Sequence, residues 1–442
     1  MPPPEEFSVL AAAFTPSTTA VAGSLPLSAL FGLLPLALFF VMLGVFKIAT
    51  HWCALGSLAV ALLIAAFGFK MPLGLAPLAP TQGLTFGSLV ICYIVVAAVR
   101  LYNLSEASGR GDDVRAVFSA VGKGDIRIQA LLIATAFCAL MEGLAGFGAP
   151  VAFALVAGPL AVWTPTTPED QRSAVATEEL GAGRIALALL PYWFVVIIFA
   201  IAKLWRFGVD LPAALKATDL KIPWPGLDGR LLTPAGEVSG DTVLSISTLA
   251  SPGTMLILAS LVVTIVYSVN SSGGRFPFSM SKGIAPLGRT VIGLRMAILT
   301  ISAVIALAYT MNFSGQTVSI GTALAATGTA FAFFAPVLGW IGTAVTGSAT
   351  SAGARFASLH SAVATQTGLS PQLLLSVNEI GGGIGKIVSP QNLAIAATAV
   401  KREGLEPELL RRTAPYSIGL LLLLSIITTL ASVGVLGFII AG

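Results

Sequence analysis

The stretch Asn378-Glu-Ile-Gly-Gly-Gly-Ile-Gly-Lys-Ile-Val-Ser-Pro-Gln391 places four glycines, a lysine and a glutamate between two apolar segments, 373–377 and 393–400. In a lipid bilayer, backbone without helical hydrogen bonds is costly, and it is tolerated where protein buries it or where it lines a wet cavity. Many carriers form their substrate sites from interrupted helices of this kind, with the helix ends directed at the ligand. The stretch therefore predicts a helix break inside a membrane protein.

Composition places the whole chain in the membrane class. Of its 442 residues, 56% are hydrophobic and only 10% are charged, whereas a soluble domain carries about a quarter charged residues. Several apolar runs reach the roughly 20 residues that cross a bilayer as a helix. The sequence predicts an all-α polytopic membrane protein, and its net charge of +4 gives no indication of a nucleic-acid partner.

Hydropathy predicts a series of candidate spans with approximate ends. They are 27–49, 52–69, 83–101, 128–145, 185–204, 254–269, 291–312, 320–345, 361–377, 387–400 and 416–440. Some are too short to cross alone, and those beside glycine-rich breaks are expected to be half-helices or re-entrant hairpins. We expect roughly 10 to 12 transmembrane or half helices in all.

Basic residues are concentrated in three connections, at 100–127, 270–295 and 401–412. The positive-inside rule assigns all three to the cytoplasm, which leaves both termini outside. The acid-rich segment 163–184 is then expected to be external. Because the N-terminus lacks the basic region of a cleaved signal peptide, Leu27 is expected to begin a span of the mature protein.

The spans and polar connections divide the chain into four expected parts. These are an N-terminal tail (1–26), a first membrane half (27–162), spans with a polar connection (163–252) and a second membrane half (253–442). The longest polar connection, 205–252, is expected to be a loop with one interfacial helix.

The first candidate site is Glu142-Gly-Leu-Ala-Gly-Phe-Gly-Ala-Pro150, where a predicted helix is interrupted at Gly146 and Gly148. An acid this deep in an apolar segment is costly unless it is protonated, paired or hydrated. Glu142 is therefore a candidate proton-coupling residue. The alternative is a structural role, in which a protonated Glu142 ties two helices together.

The second candidate site is Thr346-Gly-Ser-Ala-Thr-Ser351, followed by Arg355. The hydroxyls of Thr346, Ser348, Thr350 and Ser351 could donate hydrogen bonds to a small anion beside the flexible Gly347, and Arg355 could pair with a carboxylate. Alternatively, the hydroxyls bond to their own helix or allow helices to pack closely.

The third candidate site is the opening stretch, where Lys386 supplies a cation within the predicted break. Asn378, Ser389 and Gln391 add polar groups, and Glu379 is a further candidate. The alternative for Lys386 is that its ammonium extends to the membrane interface. A nucleotide-binding loop is excluded, because the glycine spacing is wrong and Ile387 stands where that motif requires a hydroxyl.

Other chemistries have weaker support. Ser348 or Ser351 with His360 could form a nucleophile and base, but no orienting group is evident. The two histidines are far apart and the cysteines form no closely spaced pair, so neither a metal site nor a cofactor is expected. Because one candidate site lies in the first half and two lie in the second, paired inverted halves with a midplane site are expected.

Four stretches together resemble the L-lactate permease family. They are the motif at 142–152, the run Phe331-Ala-Phe-Phe-Ala-Pro-Val-Leu-Gly-Trp340, the hydroxyl motif at 346–351, and Gly385-Lys-Ile-Val-Ser-Pro-Gln391. The resemblance implies a carrier that takes up L-lactate, D-lactate or glycolate together with protons.

The chain also departs from the family pattern. The family usually has an aspartate at the position of Ala349, an asparagine near Gly353, an apolar residue at Arg355 and a small polar residue at Glu379. A block of the first half also looks absent after residue 162. These differences put the choice of carboxylate and of coupling ion in question.

The sequence thus predicts a proton-coupled 2-hydroxy monocarboxylate transporter in the bacterial inner membrane, and not an enzyme. The expected substrate ligands are Thr346, Gly347, Ser348, Thr350, Ser351, Asn378, Lys386, Ser389 and Gln391, and Glu142 is expected to carry the proton. Its partners would be the carboxylate, the proton and the lipid bilayer. The alternative is a shortened family member that binds a carboxylate, or is inert, without transport.

Overall fold

The computed structural model describes residues 13–121, 181–202, 211–233, 236–284, 287–347, 349–399 and 404–436, which are mostly helical. The helices, in chain order, are α1 (Leu25–Gly44), α2 (Thr50–Leu63), α3 (Leu78–Phe86), α4 (Cys92–Ala107), α5 (Gly111–Val121), α6 (Ala182–Ala188), α7 (Leu190–Ala202), α8 (Leu211–Leu215), α9 (Pro252–Val269), α10 (Met280–Ile284), α11 (Leu287–Gly293), α12 (Arg295–Phe313), α13 (Gln316–Ala325), α14 (Phe331–Thr346), α15 (Ala349–Thr367), α16 (Pro371–Gly385), α17 (Pro390–Ala399) and α18 (Glu406–Ser432). The strands are β1 (Leu220–Pro223) and β2 (Val243–Ile246).

Within the described residues, six helical segments are long and apolar enough to cross a bilayer. They are Leu25–Gly44, Thr50–Gly68, Leu78–Ala107, Pro252–Val269, Arg295–Phe313 and Glu406–Ser432. Two bent helix pairs could add two further spans. The predicted polytopic helical fold with broken helices is confirmed, whereas the predicted span 128–145 lies outside the described residues.

The chain divides into two compact units, and the candidate site belongs to the first, which contains residues 1–92, 220–246 and 295–442. Its central helix is α12. In α12, 78% of the apolar 18-residue stretch is buried, against 22–39% in the other five spans. Glycines in α3 and in the π-helical turn after it let this segment approach the backbone of α12. A Cβ on Gly83 would lie 2.7 Å from the Cα of Ala306, and one on Gly87 would lie 2.8 Å from the Cα of Ser302.

A bent helix pair, α13 and α14, replaces the single span predicted at 320–345. The two helices meet at 115°, and Gly328 adopts a left-handed backbone (φ +65°) at the bend. Glycine takes this conformation without the steric penalty that other residues incur. The prediction of one continuous span is therefore wrong, because a turn interrupts it.

The span predicted at 361–377 is also wrong. Gly368 has φ +73° and ends α15. A new helix, α16, then starts, with the Ser370 hydroxyl accepting a hydrogen bond from the Leu373 backbone N–H and with Pro371 in its first turn. A serine cap followed by proline is a strong helix-start signal. The apolar run is thus shared between two helices.

The glycines at 381–385 do not form the predicted break. The helix α16 runs through all of them, and the interruption is displaced to a 3₁₀ turn at Lys386–Val388 and the extended Ser389 before α17. The glycines serve packing instead. A Cβ on Gly385 would lie 2.6 Å from the carbonyl oxygen of Trp340, and one on Gly381 would collide with the carbonyl of Pro336.

The polar connection at 205–252 contains more structure than the sequence predicts. Besides the short α8, its described part forms an antiparallel hairpin in which Leu220 pairs with Ile246 and Pro223 pairs with Val243. The Gln82 side chain anchors the hairpin by donating to the Asp241 carbonyl at 3.0 Å. The prediction of one interfacial helix misses these strands.

The second unit contains residues 93–219 and 247–294. Its helices α4, α7 and α9 share a core that includes Val195 and Val263. The buried Arg110 lies between the rings of Tyr267 and Phe276, 4.9 and 4.8 Å from their centres. Burial lowers the pKa of Arg110, although guanidinium stays charged in proteins.

Candidate substrate site

Two helix interruptions meet in the first unit. Helix α14 ends where Gly347 adopts φ +69°, and α15 begins at Ala349. The second interruption is the turn between α16 and α17. A Cβ on Gly347 would collide with the side-chain oxygen of Gln391, and one on Gly382 would lie 3.1 Å from the Cβ of Ala349. The start of α15 is therefore next to both sides of the second interruption.

The predicted hydroxyl motif lies at this junction. Thr346 is the last residue of α14, and Thr350 and Ser351 lie in the first turn of α15. Arg355 belongs to the second turn of α15, and Ser348 lies outside the described residues. The N-terminus of a long helix carries partial positive charge and free backbone N–H groups. The junction thus suits a small anion.

The second interruption is organised around the carbonyl oxygen of Lys386. This oxygen accepts hydrogen bonds from the Ser389 hydroxyl at 3.2 Å and from the Asn392 side chain at 3.1 Å. The Ser389 hydroxyl in turn accepts from the backbone N–H of Asn392. Ser389 therefore caps α17, and Asn392 is a residue of this turn that the sequence analysis does not identify.

Helix α18 supports the end of α16. The Ser417 hydroxyl donates to the Ile384 carbonyl at 3.0 Å and accepts from the indole N–H of Trp340 at 2.9 Å. The Trp340 ring stacks on Phe40, with ring centres 6.4 Å apart. These contacts fix the end of α16, which Lys386 follows.

In the part of the chain that the structure describes, the contact between α14 and α16 contains two buried polar groups without a hydrogen-bond partner. They are the Asn378 side-chain oxygen, on a residue that is 1% exposed, and the hydroxyl of Thr343, on a residue that is 0% exposed. A Cβ on Gly339 would lie 3.0 Å from that Asn378 oxygen, and one on Gly382 would lie 2.7 Å from the Thr343 hydroxyl. Because buried polar groups are normally paired, these two are candidates to face a ligand or water.

Glu379 faces the helix that carries the hydroxyl motif. Its carboxylate occupies the space above Gly353 in α15, where a Cβ would collide with it. The same Cβ would lie 3.9 Å from the side-chain nitrogen of Asn378. The structure thus brings Asn378 and Glu379 together at one position of α15.

His360 is not placed to act with Ser351. Nine residues along one helix correspond to about 13 Å, too far for a hydrogen bond between their side chains. The buried His360 ring contacts Phe331, and its Nδ1 lies 2.7 Å from the Phe356 carbonyl. The structure therefore does not support Ser351 and His360 as a nucleophile and base, and Ser348 lies outside the described residues.

A further polar cluster, which the sequence analysis does not identify, lies between α12 and α13. The buried Gln316 donates to the Ala61 carbonyl at 3.0 Å and to the Ser314 hydroxyl at 2.9 Å. Polar oxygens of Asn312, Gln316 and Thr317 lack partners among the described residues. The run Asn-Phe-Ser-Gly-Gln-Thr after an apolar helix was the available signal.

The proton-coupling candidate Glu142, with Gly146 and Gly148, lies outside the described residues. Across the ranges that the structure describes, no group of three or more histidine, cysteine, aspartate or glutamate side chains could hold a metal ion. The inverted repeat and the four-part division of the chain remain predictions.

Interrupted helices that gather polar groups inside an apolar helical body are typical of membrane carriers, and this chain is a multi-pass integral membrane protein. The model of the L-lactate permease family matches residues 28–162 and 153–435. The chain belongs to this family, as its motifs indicated.

Named relatives align over most of their length. Glycolate permease GlcA of Escherichia coli (strain K12) is 29% identical over 92% of this chain and 96% of its own. L-lactate permease of Bacillus subtilis (strain 168) is 28% identical over 94% and 98%, and that of Escherichia coli (strain K12) is 29% identical over 92% and 96%. The comparison with solved structures gives no match.

The alignments with the relatives contain more positions than this chain has residues. The alignment with the glycolate permease spans 548 positions, whereas 92% of 442 residues supplies only about 407 of them, so about 140 positions have no counterpart here. The two segments matched by the family model overlap at 153–162. A missing block after residue 162 stays a prediction.

Proposed function

We propose that this chain transports a small 2-hydroxy monocarboxylate, lactate or glycolate, and that it couples uptake to protons. Family membership and the names of its relatives, lactate and glycolate permeases, support this substrate class. The observation that carries the proposal is the meeting of two helix interruptions, at Gly347 and at 386–389, within one apolar body.

The substrate carboxylate would bind at the start of α15. The hydroxyl motif at 346–351 and the first N–H groups of α15 supply donors, and Lys386 supplies the positive charge. Gln391 and Asn378 contribute side-chain amides beside the junction, and Arg355 is a further candidate cation. Ser389 would act indirectly by holding the turn, because its hydroxyl is already engaged.

Uptake by purified protein in proteoliposomes tests this function. With an acidic exterior, we expect accumulation of labelled lactate and glycolate that a protonophore abolishes, and weak uptake of succinate. Lys386→Gln should lower uptake efficiency at least tenfold. Arg412→Gln is the matched control, because Arg412 is exposed and pairs only with Glu408 one turn away among the described residues.

The shortened-member alternative predicts a different outcome. Because about 140 positions of the relatives lack a counterpart, the chain would bind a carboxylate without moving it. Lactate would then raise the melting temperature of the wild-type protein while uptake stayed at the level of protein-free liposomes. That result would reject the transport proposal and retain the binding site.

A further inference from the structure

Glu379 is the single acid between Asp241 and Glu403 in the sequence. It is therefore the only carboxylate on the helices α12 to α17, of which α14 to α17 build the candidate site. The carboxylate is half-buried, and it covers Gly353 in the second turn of α15. An acid held against the helix that begins at the substrate junction will sense the charge of a bound carboxylate.

Asn378 is a polar neighbour of Glu379. The side-chain nitrogen of Asn378 and the Glu379 carboxylate share the space over Gly353 of α15, whereas the side-chain oxygen of Asn378 lies against Gly339 of α14 and has no partner among the described residues. The Thr343 hydroxyl, one turn further along the α14–α16 contact, has no partner among them either. The amide N–H groups of Asn378 can donate to a carboxyl oxygen of Glu379 in either protonation state.

Few charged or titratable groups lie on the elements that pack against α16. Helix α14 carries none, and the turn after α16 carries Lys386. Helix α15 carries Arg355 and His360, and α18 carries Glu406, Glu408, Arg411, Arg412 and Tyr416. Helices α14, α15 and α16 carry no carboxylate besides Glu379. No second acid on these helices therefore competes with Glu379 for the proton.

We propose that Glu379 binds the coupling proton at the substrate junction. This inference rests on the proposed transport function and assigns its proton to a residue other than Glu142. One proton from the outer solution binds a carboxylate oxygen of Glu379, and the same proton leaves to the inner solution after the substrate departs. The loaded site then holds a neutral carboxyl and one substrate anion.

The coupling follows from charge. An ionised Glu379 repels a substrate carboxylate at the start of α15, whereas a protonated Glu379 does not. Protonation therefore strengthens substrate binding, and by thermodynamic linkage the bound substrate strengthens proton binding by the same factor. Wild-type lactate affinity should thus weaken as the pH rises, by at most tenfold per pH unit for one coupled proton.

The test compares Glu379→Gln with wild type in two assays on the same proteoliposomes. Gradient-driven accumulation needs a titrating group, whereas exchange of internal for external lactate at equal pH does not. We expect Glu379→Gln to lose at least tenfold in accumulation, to retain exchange, and to bind lactate with an affinity that no longer varies with pH. Glu379→Asp should retain accumulation with a shifted pH profile, which separates coupling from folding.

The controls separate the possible failures. Glu408→Gln, an exposed acid on α18, should behave like wild type in both assays. Loss of the pH-dependent affinity in Glu142→Gln, with Glu379→Gln unchanged, would assign the proton to Glu142 and overturn this inference. If the wild type transports lactate and Glu379→Gln accumulates it to the same level, this inference is wrong and the transport function stands. Absence of both exchange and accumulation in wild type would instead overturn the transport function.

Discussion

Glycine has two opposite roles in two neighbouring regions of this protein. At Gly347 the backbone is left-handed and the helix ends. At Gly381–Gly385 the backbone is helical throughout, and the missing side chains let α16 lie against the carbonyls of α14. Glycine therefore ends a helix where its φ is positive, and it brings helices together where a neighbour occupies the space of a Cβ.

The largest effect is expected from Gly381→Val. The added side chain would collide with the Pro336 carbonyl, and backbone cannot move aside as a flexible side chain can. We expect a loss of about 3 kcal/mol in unfolding free energy or no folded protein. Thermal melting and size-exclusion profiles measure this. Gly383→Val is the matched control, since no described atom lies within 4 Å of its Cβ position. An equal loss of unfolding free energy in both variants would show that the helix propensity of valine, and not the collision with Pro336, causes the loss.

A smaller loss is expected from Gly347→Ala, because a left-handed alanine costs about 1–2 kcal/mol. The new methyl would also displace Gln391, so lactate uptake should fall more than stability does. The double variant Gly347→Ala/Gln391→Ala should melt higher than the single variant, since it removes the collision but retains the strained φ. Equal melting temperatures for single and double variants would show that the two interruptions do not meet.

Ser389→Ala distinguishes a cap from a substrate ligand. Loss of a helix cap costs about 1 kcal/mol, so the melting temperature should drop while the KM for lactate stays within twofold. Ser389→Asp should restore the melting temperature, because aspartate also caps helices. A tenfold rise in KM without a change in melting temperature would instead make Ser389 a direct ligand.

The smallest effect is expected from Gly383→Ala. Its position has room for a Cβ and a helical backbone, so alanine should stabilise the protein by about 0.5–1 kcal/mol. Thermal melting measures the gain, and uptake should stay at the wild-type level. A destabilised Gly383→Ala would mean that this face of α16 also packs closely.

The sequence anticipated much of the fold but only part of the site. Apolar runs predicted most spans, and the run predicted to end at 345 does end beside Gly347. The break near Lys386 was predicted five residues too early, because a glycine run looks alike whether it unwinds a helix or packs one. The polar cluster around Gln316 was missed, because its residues are hydrogen-bonded to distant backbone that spacing does not reveal.

By itself, the sequence determined the membrane class, the family and the few ionisable residues available for transport, since these depend on composition and local pattern. Only the tertiary structure decided which glycines face a neighbouring backbone, that Gly347 lies against Gln391, and that Glu379 lies over Gly353. The physical reason is that the cost of a Cβ, or the value of a carboxylate, depends on what another helix places beside it. No residue carries that information within its own segment.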